Sequence, residues 1–176
     1  MKNIQTLYTK RLILRPLNLD DTNRIVEIAN EKEISRYTWY VPYPLTLPDA
    51  KKIVNDSSGS GKNEKELLRW GIISECHLIG VIDLYAIDKI NKKAHLGYWI
   101  GKEFRRQRFA FEAIEAIIKY GFENLGLHKI SAKTLADNFA SNELLAKNGF
   151  RRAGVLEKDK LIDGEWADCH LWERLS

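Results

Sequence analysis

The stretch FRRQRFAFEA, Phe104 to Ala113, gathers Arg105, Arg106 and Arg108 around Gln107 and then passes directly into a helix-like run. So many guanidinium donors in so few residues suit three settings: a solvated surface, a nucleic-acid patch, or a phosphate cradle at a helix start. Placement favours the third. The apolar segment HLGYWI stands just before, and apolar or small residues fall at 110, 113, 114, 117 and 121 just after, which is helical spacing. A strand–loop–helix junction directs backbone N–H groups and the positive end of a helix dipole at one point. Arginines there add charge-assisted donors.

A second candidate is His95. On the two-residue period of a strand it shares a face with Gly97 and Trp99. An imidazole titrates near neutrality and can relay a proton from a nucleophile. The alternative role is a strand histidine that hydrogen-bonds a neighbour.

The elements that must position these residues can be read in order. RLILRPL (Arg11–Leu17) alternates as a strand, with Pro16 marking an edge or an end. A short helix follows, capped by Asp20 or Asp21, with Ile25, Ile28 and Ala29 on one face. Residues 38–46 form an aromatic, proline-broken loop. TLPDAKKIVND restarts a helix, with Thr46 as its cap and Pro48 in its first turn. SSGSGKNEKE reads as a surface loop. Three strands, 67–74, 78–87 and 93–101, should pair antiparallel with their neighbours. The helix after FRRQR stops near Gly126. KISAKTL is a strand, SNELLAKNG a helix ending at Gly149, and two last strands turn at Asp163–Gly164. The expected class is α+β, a mostly antiparallel sheet of about seven strands flanked by about four helices.

With 176 residues, 44% hydrophobic and 30% charged, the chain fits one globular domain with a sizeable core. A net charge of +4 permits an anionic ligand without calling for nucleic acid. The start of the sequence lacks a signal peptide's apolar core, and no apolar run reaches membrane-span length. Cys76 and Cys169 stand alone and His77, His95, His128 and His170 are scattered, so we expect free thiols, a cytoplasmic setting and no metal site.

Several segments in this order resemble one family: TKRLILRPLNLDD, LIGVIDLYAID, KKAHLGYWIGKEFRRQRFAFEA, NLGLHKISAKTLADNFASNELLAKNGFRRAGVL and DGEWADCHLW. Together they resemble the GNAT superfamily of acyl-CoA N-acyltransferases, RimJ/RimL-like subgroup. The resemblance implies a single GNAT domain over 1–176 with acetyl-CoA as co-substrate and a primary amine as acceptor. The backbone amides of Arg105, Arg106, Gln107, Arg108, Phe109 and Ala110 would hold the pyrophosphate. Arg108 departs from the family's pattern, which places glycine there for close approach and unusual dihedrals. An arginine keeps the N–H but brings a Cβ, so the loop either holds its shape with that side chain turned outward or onto a phosphate, or binds more weakly.

The resemblance further implies that Tyr98, Trp99 and Ile100 line the pantetheine arm and that Asn138 and Ser141 stand near it. Ser141 would act as a donor by the sulfur, with an N-cap as its alternative; Asn138 could equally serve a cap. Leu145 takes the position where many members carry a tyrosine acid, which removes that acid. Relatives often carry glutamate at the position of His95, which makes His95 the candidate base. Asp168 matches an acidic position of the last hairpin, and Trp39, Tyr40 and Tyr43 would wall the acceptor pocket. The acceptor implied is a protein N-terminal α-amine of the ribosomal-protein type. Alternatives are a small amine (polyamine, amino sugar or drug) or a non-catalytic acyl-CoA-binding module. Neither nucleic acid nor a membrane is expected as partner, and the protein would be a monomer or homodimer.

Overall fold

The computed structural model describes residues 4–38, 40–56 and 66–176. One sheet of eight strands organises it. The strands are β1 (Leu7–Tyr8), β2 (Ile13–Pro16), β3 (Glu66–Ser74), β4 (His77–Asp88), β5 (Lys93–Ile100), β6 (Lys129–Leu135), β7 (Arg151–Ile162) and β8 (Glu165–Leu175). Their spatial order is β1-β2-β3-β4-β5-β6-β8-β7. Every pairing is antiparallel except β5 with β6. The helices are α1 (Thr22–Ala29), α2 (Lys32–Tyr37), α3 (Leu47–Asp56), α4 (Phe109–Glu123) and α5 (Phe139–Lys147). This is the mixed α+β class the sequence suggests, with one strand and one helix more. The added strand is the two-residue β1. The added helix is α2, whose six residues bury only Ile34, too little apolar surface to register as periodicity.

The single parallel pair dictates the rest. Parallel neighbours need a crossover, and α4 supplies it, so its N-terminus lies at the end of β5. The β7–β8 hairpin then slots β8 beside β6. Its two-residue turn puts Asp163 at φ 51° and Gly164 at φ 87°, the left-handed pair that suits the twist of a hairpin. Strand alternation sorts side chains onto two faces. Trp70, Ile72, Ile82, Leu84 and Ile130 pack with Ile114, Ile117 and Leu145 on the α4/α5 face. Val81 and Trp99 pack with Ile25, Ile28, Ile53 and Val54 on the α1–α3 face.

Local chemistry fixes the ends. Thr46 and Asp49 bond reciprocally at the start of α3, so Thr46 is the cap, as expected. Asp21 stands at the cap position of α1, as one of the two expected, but makes no side-chain cap bond there; Asn18 caps the 3-10 turn Leu19–Asp21 just before it, accepting from Asp20 N–H at 2.9 Å. Asp21 is occupied otherwise, holding Arg15 at 2.7 Å and Asn18 N–H at 2.8 Å. The expected surface loop falls almost wholly at 57–65, outside the described residues.

The N-terminal hairpin is tied to the start of α4 through Glu112. Its carboxylate accepts from Thr9 Oγ1 (2.6 Å), Arg11 N–H (2.8 Å) and Arg11 Nε (2.7 Å). Burial alone would push Glu112 up, but these bonds outweigh it and hold the group below its ordinary value. A depressed carboxylate contributes stability above its unfolded pKa and loses it as pH falls through the folded one. We expect Glu112→Gln to lower stability at pH 7 by about 1 kcal/mol. Urea unfolding at pH 7 and again below pH 4 checks this: the difference between variant and parent should shrink in acid.

Candidate active site

β5 and β6 pair only through Lys93↔Lys129, Ala94↔Ile130 and His95↔Ser131. Beyond that point the strands part, although β5 continues to Ile100 and β6 to Leu135. β5 stays bonded to β4 as far as Ile100, and β6 to β8 as far as Leu135, so each strand keeps one partner and bares its other edge. A cavity of about 1020 Å³ occupies the gap, bordered by residues 96–100 on one side and 132–134 on the other.

The arginine loop closes one end. Arg105 donates to Ile100 C=O (3.0 Å) and pairs with Glu31 (3.1 Å) and Glu33 (2.5 Å), so its charge is committed to the α2 region. Arg106 and Arg108 are exposed, border the cavity, and pair with no carboxylate among the described residues. Both adopt φ 62°, whereas Gln107 between them does not. Alternation of this kind turns successive N–H groups toward one side. Arg108 thus takes the left-handed shape that glycine adopts without strain. The first bond inside α4 runs from Glu112 N–H to Arg108 C=O (3.1 Å). The N–H groups of Phe109, Ala110 and Phe111 precede it, no side chain caps them, and all three residues border the cavity.

The opposite wall is β5 against α5. Asn138 caps α5, its Oδ1 accepting from Ser141 N–H (3.1 Å). Ser141 is therefore not the cap. Its hydroxyl meets Tyr98 Oη at 2.6 Å, and both residues border the cavity. Burial pushes the Tyr98 phenol well above its ordinary value, so it stays protonated. Trp99 and Ile100 also line the cavity, and Leu145 is fully buried in the core.

Four expected site residues are not brought to this cavity. His95 sits at the last β5–β6 pair, stacked on Tyr85 with ring centroids 5.3 Å apart; Tyr85, not His95, borders the space. Gln107 faces outward and donates to Glu103 C=O (3.2 Å). Asp168 is exposed and accepts from Lys158 N–H (2.8 Å) across the β7–β8 hairpin, which makes it a hairpin residue. Tyr43 is 48% exposed, under the Lys32 ammonium. Tyr40 does reach the cavity and accepts from Trp99 Nε1 (3.1 Å), while Trp39 lies outside the described residues. Among the described residues no three His, Cys, Asp or Glu side chains converge as metal ligands, and no helix is long and apolar enough to cross a membrane.

The sequence reading missed a buried ion pair, Arg69 with Asp83 (Nε to Oδ2, 3.0 Å), on neighbouring strands and bordering the same cavity. A signal existed: each is the one charge inside an otherwise apolar strand segment, LLRWGIIS and GVIDLYAI.

Residues 11–151 match the family described as acetyltransferase (GNAT) domain. An uncharacterized N-acetyltransferase, YoaA of Bacillus subtilis, is 34% identical over 168 residues, covering 94% of each chain. The ribosomal protein uS5-alanine N-acetyltransferase of Escherichia coli is 35% identical over 171 residues, 92% of this chain and 86% of that one. The solved structure of RimL, a ribosomal L7/L12 α-N-protein acetyltransferase in complex with coenzyme A, superposes with a TM-score of 0.88 at 20% identity, covering 97% and 98% of the two chains. This chain belongs to the GNAT family, as an N-acetyltransferase of the RimJ/RimL-like kind.

Because Arg108 already holds a glycine-like backbone, Arg108→Gly should preserve the loop and its N–H groups. Calorimetric titration should give an acetyl-CoA dissociation constant within about threefold of the parent, since removing one exposed charge is worth on the order of 0.5 kcal/mol. A loss of tenfold or more would make the side chain a phosphate ligand in its own right.

Proposed function

We propose that this single-domain protein, residues 1–176, transfers an acetyl group from acetyl-CoA to the N-terminal α-amine of a peptide or protein. The observation that carries the reading is the bare β5 edge meeting the unbonded start of α4 in one cavity. An extended amide-bearing arm can add to a strand edge by backbone bonds. A pyrophosphate suits the converging N–H groups of residues 108–111, with Arg106 and Arg108 at hand to add charge. Bound acetyl-CoA would supply the thioester; the chain supplies the rest. The backbone of residues 97–100 would orient the arm and offer an N–H to the developing oxyanion. Ser141, held by the Tyr98 hydroxyl, would donate a proton toward the departing sulfur. The ribosomal-protein kind of acceptor rests on the 35% identical relative, whose name records alanine N-acetylation of ribosomal protein uS5.

The test is an acetylation assay with acetyl-CoA against peptides bearing free N-terminal alanine, serine or methionine, the same peptides blocked, and small amines such as a diamine and an amino sugar. The proposal expects turnover of at least one free peptide and none of its blocked form. Turnover confined to small amines would move the acceptor class. Tight acetyl-CoA binding with no turnover of any amine would leave a binding module.

Ser141→Ala should lower kcat by roughly 100-fold, the low end of general-acid contributions, with acetyl-CoA affinity retained. An unchanged kcat would mean that the thiolate leaves without help from the protein.

A further inference from the structure

Asp83 is 2% exposed, and Arg69 is buried beside it, in the middle of a sheet. A buried ion pair adds little to stability that well-packed apolar residues would not match. Perturbed buried groups in a cleft are more often found at functional sites. This pair borders the cavity on the α1–α3 face, the face of Trp99 and Val81, while the helix start and Ser141 belong to the α4/α5 side. The gap between β5 and β6 joins the two.

Three observations give Asp83 a place in the reaction. The first is register. Asp83 pairs with Gly97 on the bare-edged strand, and a Cβ on Gly97 would lie 2.5 Å from Asp83 Oδ1. The carboxylate fills the space of the missing side chain, directly over the edge where the thioester would lie, and any residue but glycine would displace it. The second is support. Arg69 Nε holds Oδ2 at 3.0 Å, Arg69 Nη1 is fixed by Ile53 C=O (3.1 Å), and the guanidinium lies 4.0 Å over the Tyr40 ring. The Tyr40 hydroxyl, close enough to act on the carboxylate electrostatically, accepts from Trp99 Nε1. An ionised carboxylate has about four acceptor sites, so the Arg69 donor leaves capacity for another from the cavity. The third is exclusion. Among the described residues the other carboxylates lining the cavity, Glu33 and Glu143, are exposed and paired with Arg105 and Lys147.

We propose that Asp83 is the seat of the acceptor's ammonium and takes its proton, with Arg69 and Tyr40 as positioning residues. This rests on the acetyltransferase reading above and adds the residue that recognises the amine. The ammonium passes one proton to the Asp83 carboxylate; the neutral amine attacks the thioester carbonyl carbon, forming C–N as C–S breaks. The second nitrogen proton goes to the departing thiolate through Ser141 and Tyr98, and Asp83 returns its proton to solvent. The products are an amide, CoA thiol and one released proton. Burial pushes the Asp83 carboxyl up against the opposing pull of Arg69, which makes it a better proton acceptor. Once Asp83 is neutral, the Arg69 charge disfavours a cation beside it and keeps the amine deprotonated. The remaining titratable groups around it are Tyr85 on β4, pushed up to about 12 by burial, His95 on β5 behind Tyr85, and Asp56 on α3 near Arg69. Thr38, Tyr40, Leu67 and Arg69 also border a second hollow of about 620 Å³, which offers room for the rest of an acceptor chain.

The experiment compares the parent enzyme with Asp83→Asn and with the double variant Arg69→Met/Asp83→Asn, which removes both charges together and spares the fold an unpaired buried guanidinium. Three quantities are read: the acetyl-CoA dissociation constant, kcat/KM for a free N-terminal alanine peptide and for a small diamine, and calorimetric binding of each amine to enzyme saturated with free CoA. The proposal expects acetyl-CoA binding within about threefold of the parent and kcat/KM down at least ~100-fold, a typical loss for a general base. It also expects amine binding to the CoA-loaded variants to vanish. If only the diamine binds and reacts in the parent, and Asp83→Asn abolishes both, the ammonium seat stands and the peptide reading falls. Either variant acting at near-parental kcat/KM, or a CoA-loaded parent that binds no amine at all, overturns the proposal. Should the single variant fail to fold, the double variant gives the same readings. His95→Ala should change kcat/KM less than about threefold, since that ring does not border the cavity.

Discussion

Buried backbone groups have to be hydrogen-bonded, and the parallel contact between β5 and β6 meets that demand for three residue pairs only. Everything at the site descends from this shortage. β5 runs on with one bare edge inside the cavity wall, so a ligand with an extended amide backbone would complete the sheet. A parallel pair also needs a crossover helix, so the same constraint brings α4 back to the end of β5 with its first N–H groups unbonded. A strand edge seeking donors and acceptors and a helix start seeking an anion meet in one cavity. An acyl group carried on a phosphate-bearing arm needs both together.

On the proposed reading the sheet would also separate the two substrates. On the α4/α5 side lie the loop arginines and the Tyr98–Ser141 pair. On the α1–α3 side lie Arg69, Asp83 and Tyr40, joined to Trp99 by an indole–phenol bond. The parting of the strands is the passage between the faces. Gly97 stands at that passage, and its lack of a side chain admits the Asp83 carboxylate.

Much of this was legible in the sequence because local periodicity carried it. KISAKTL and the Asp163–Gly164 turn appear where alternation and turn chemistry put them, and the strand–loop–helix junction is where the arginines sit. The functional reading needed family resemblance, since three arginines alone fit several partners. Position in three dimensions was the illegible part. His95 shares a strand face with Gly97 and Trp99, as its period requires, yet Tyr85 from the next strand covers it. Asp168 looked available but answers a backbone N–H across its hairpin. Ser141 and Asn138 each had two roles open; one hydrogen bond assigns the cap to Asn138. Arg69 and Asp83 are 14 residues apart in the chain and meet only through the β3–β4 register, which no single-strand pattern encodes.

The most direct measurement is backbone amide hydrogen exchange on the free protein and with saturating acetyl-CoA. The account predicts slowed exchange concentrated at residues 97–100 and at the 105–111 loop and helix start, with the β7–β8 hairpin unchanged. Acetyl-CoA binding that protects neither segment, or protects another surface instead, would contradict the assignment of the bare β5 edge and the α4 start as the acyl-donor site.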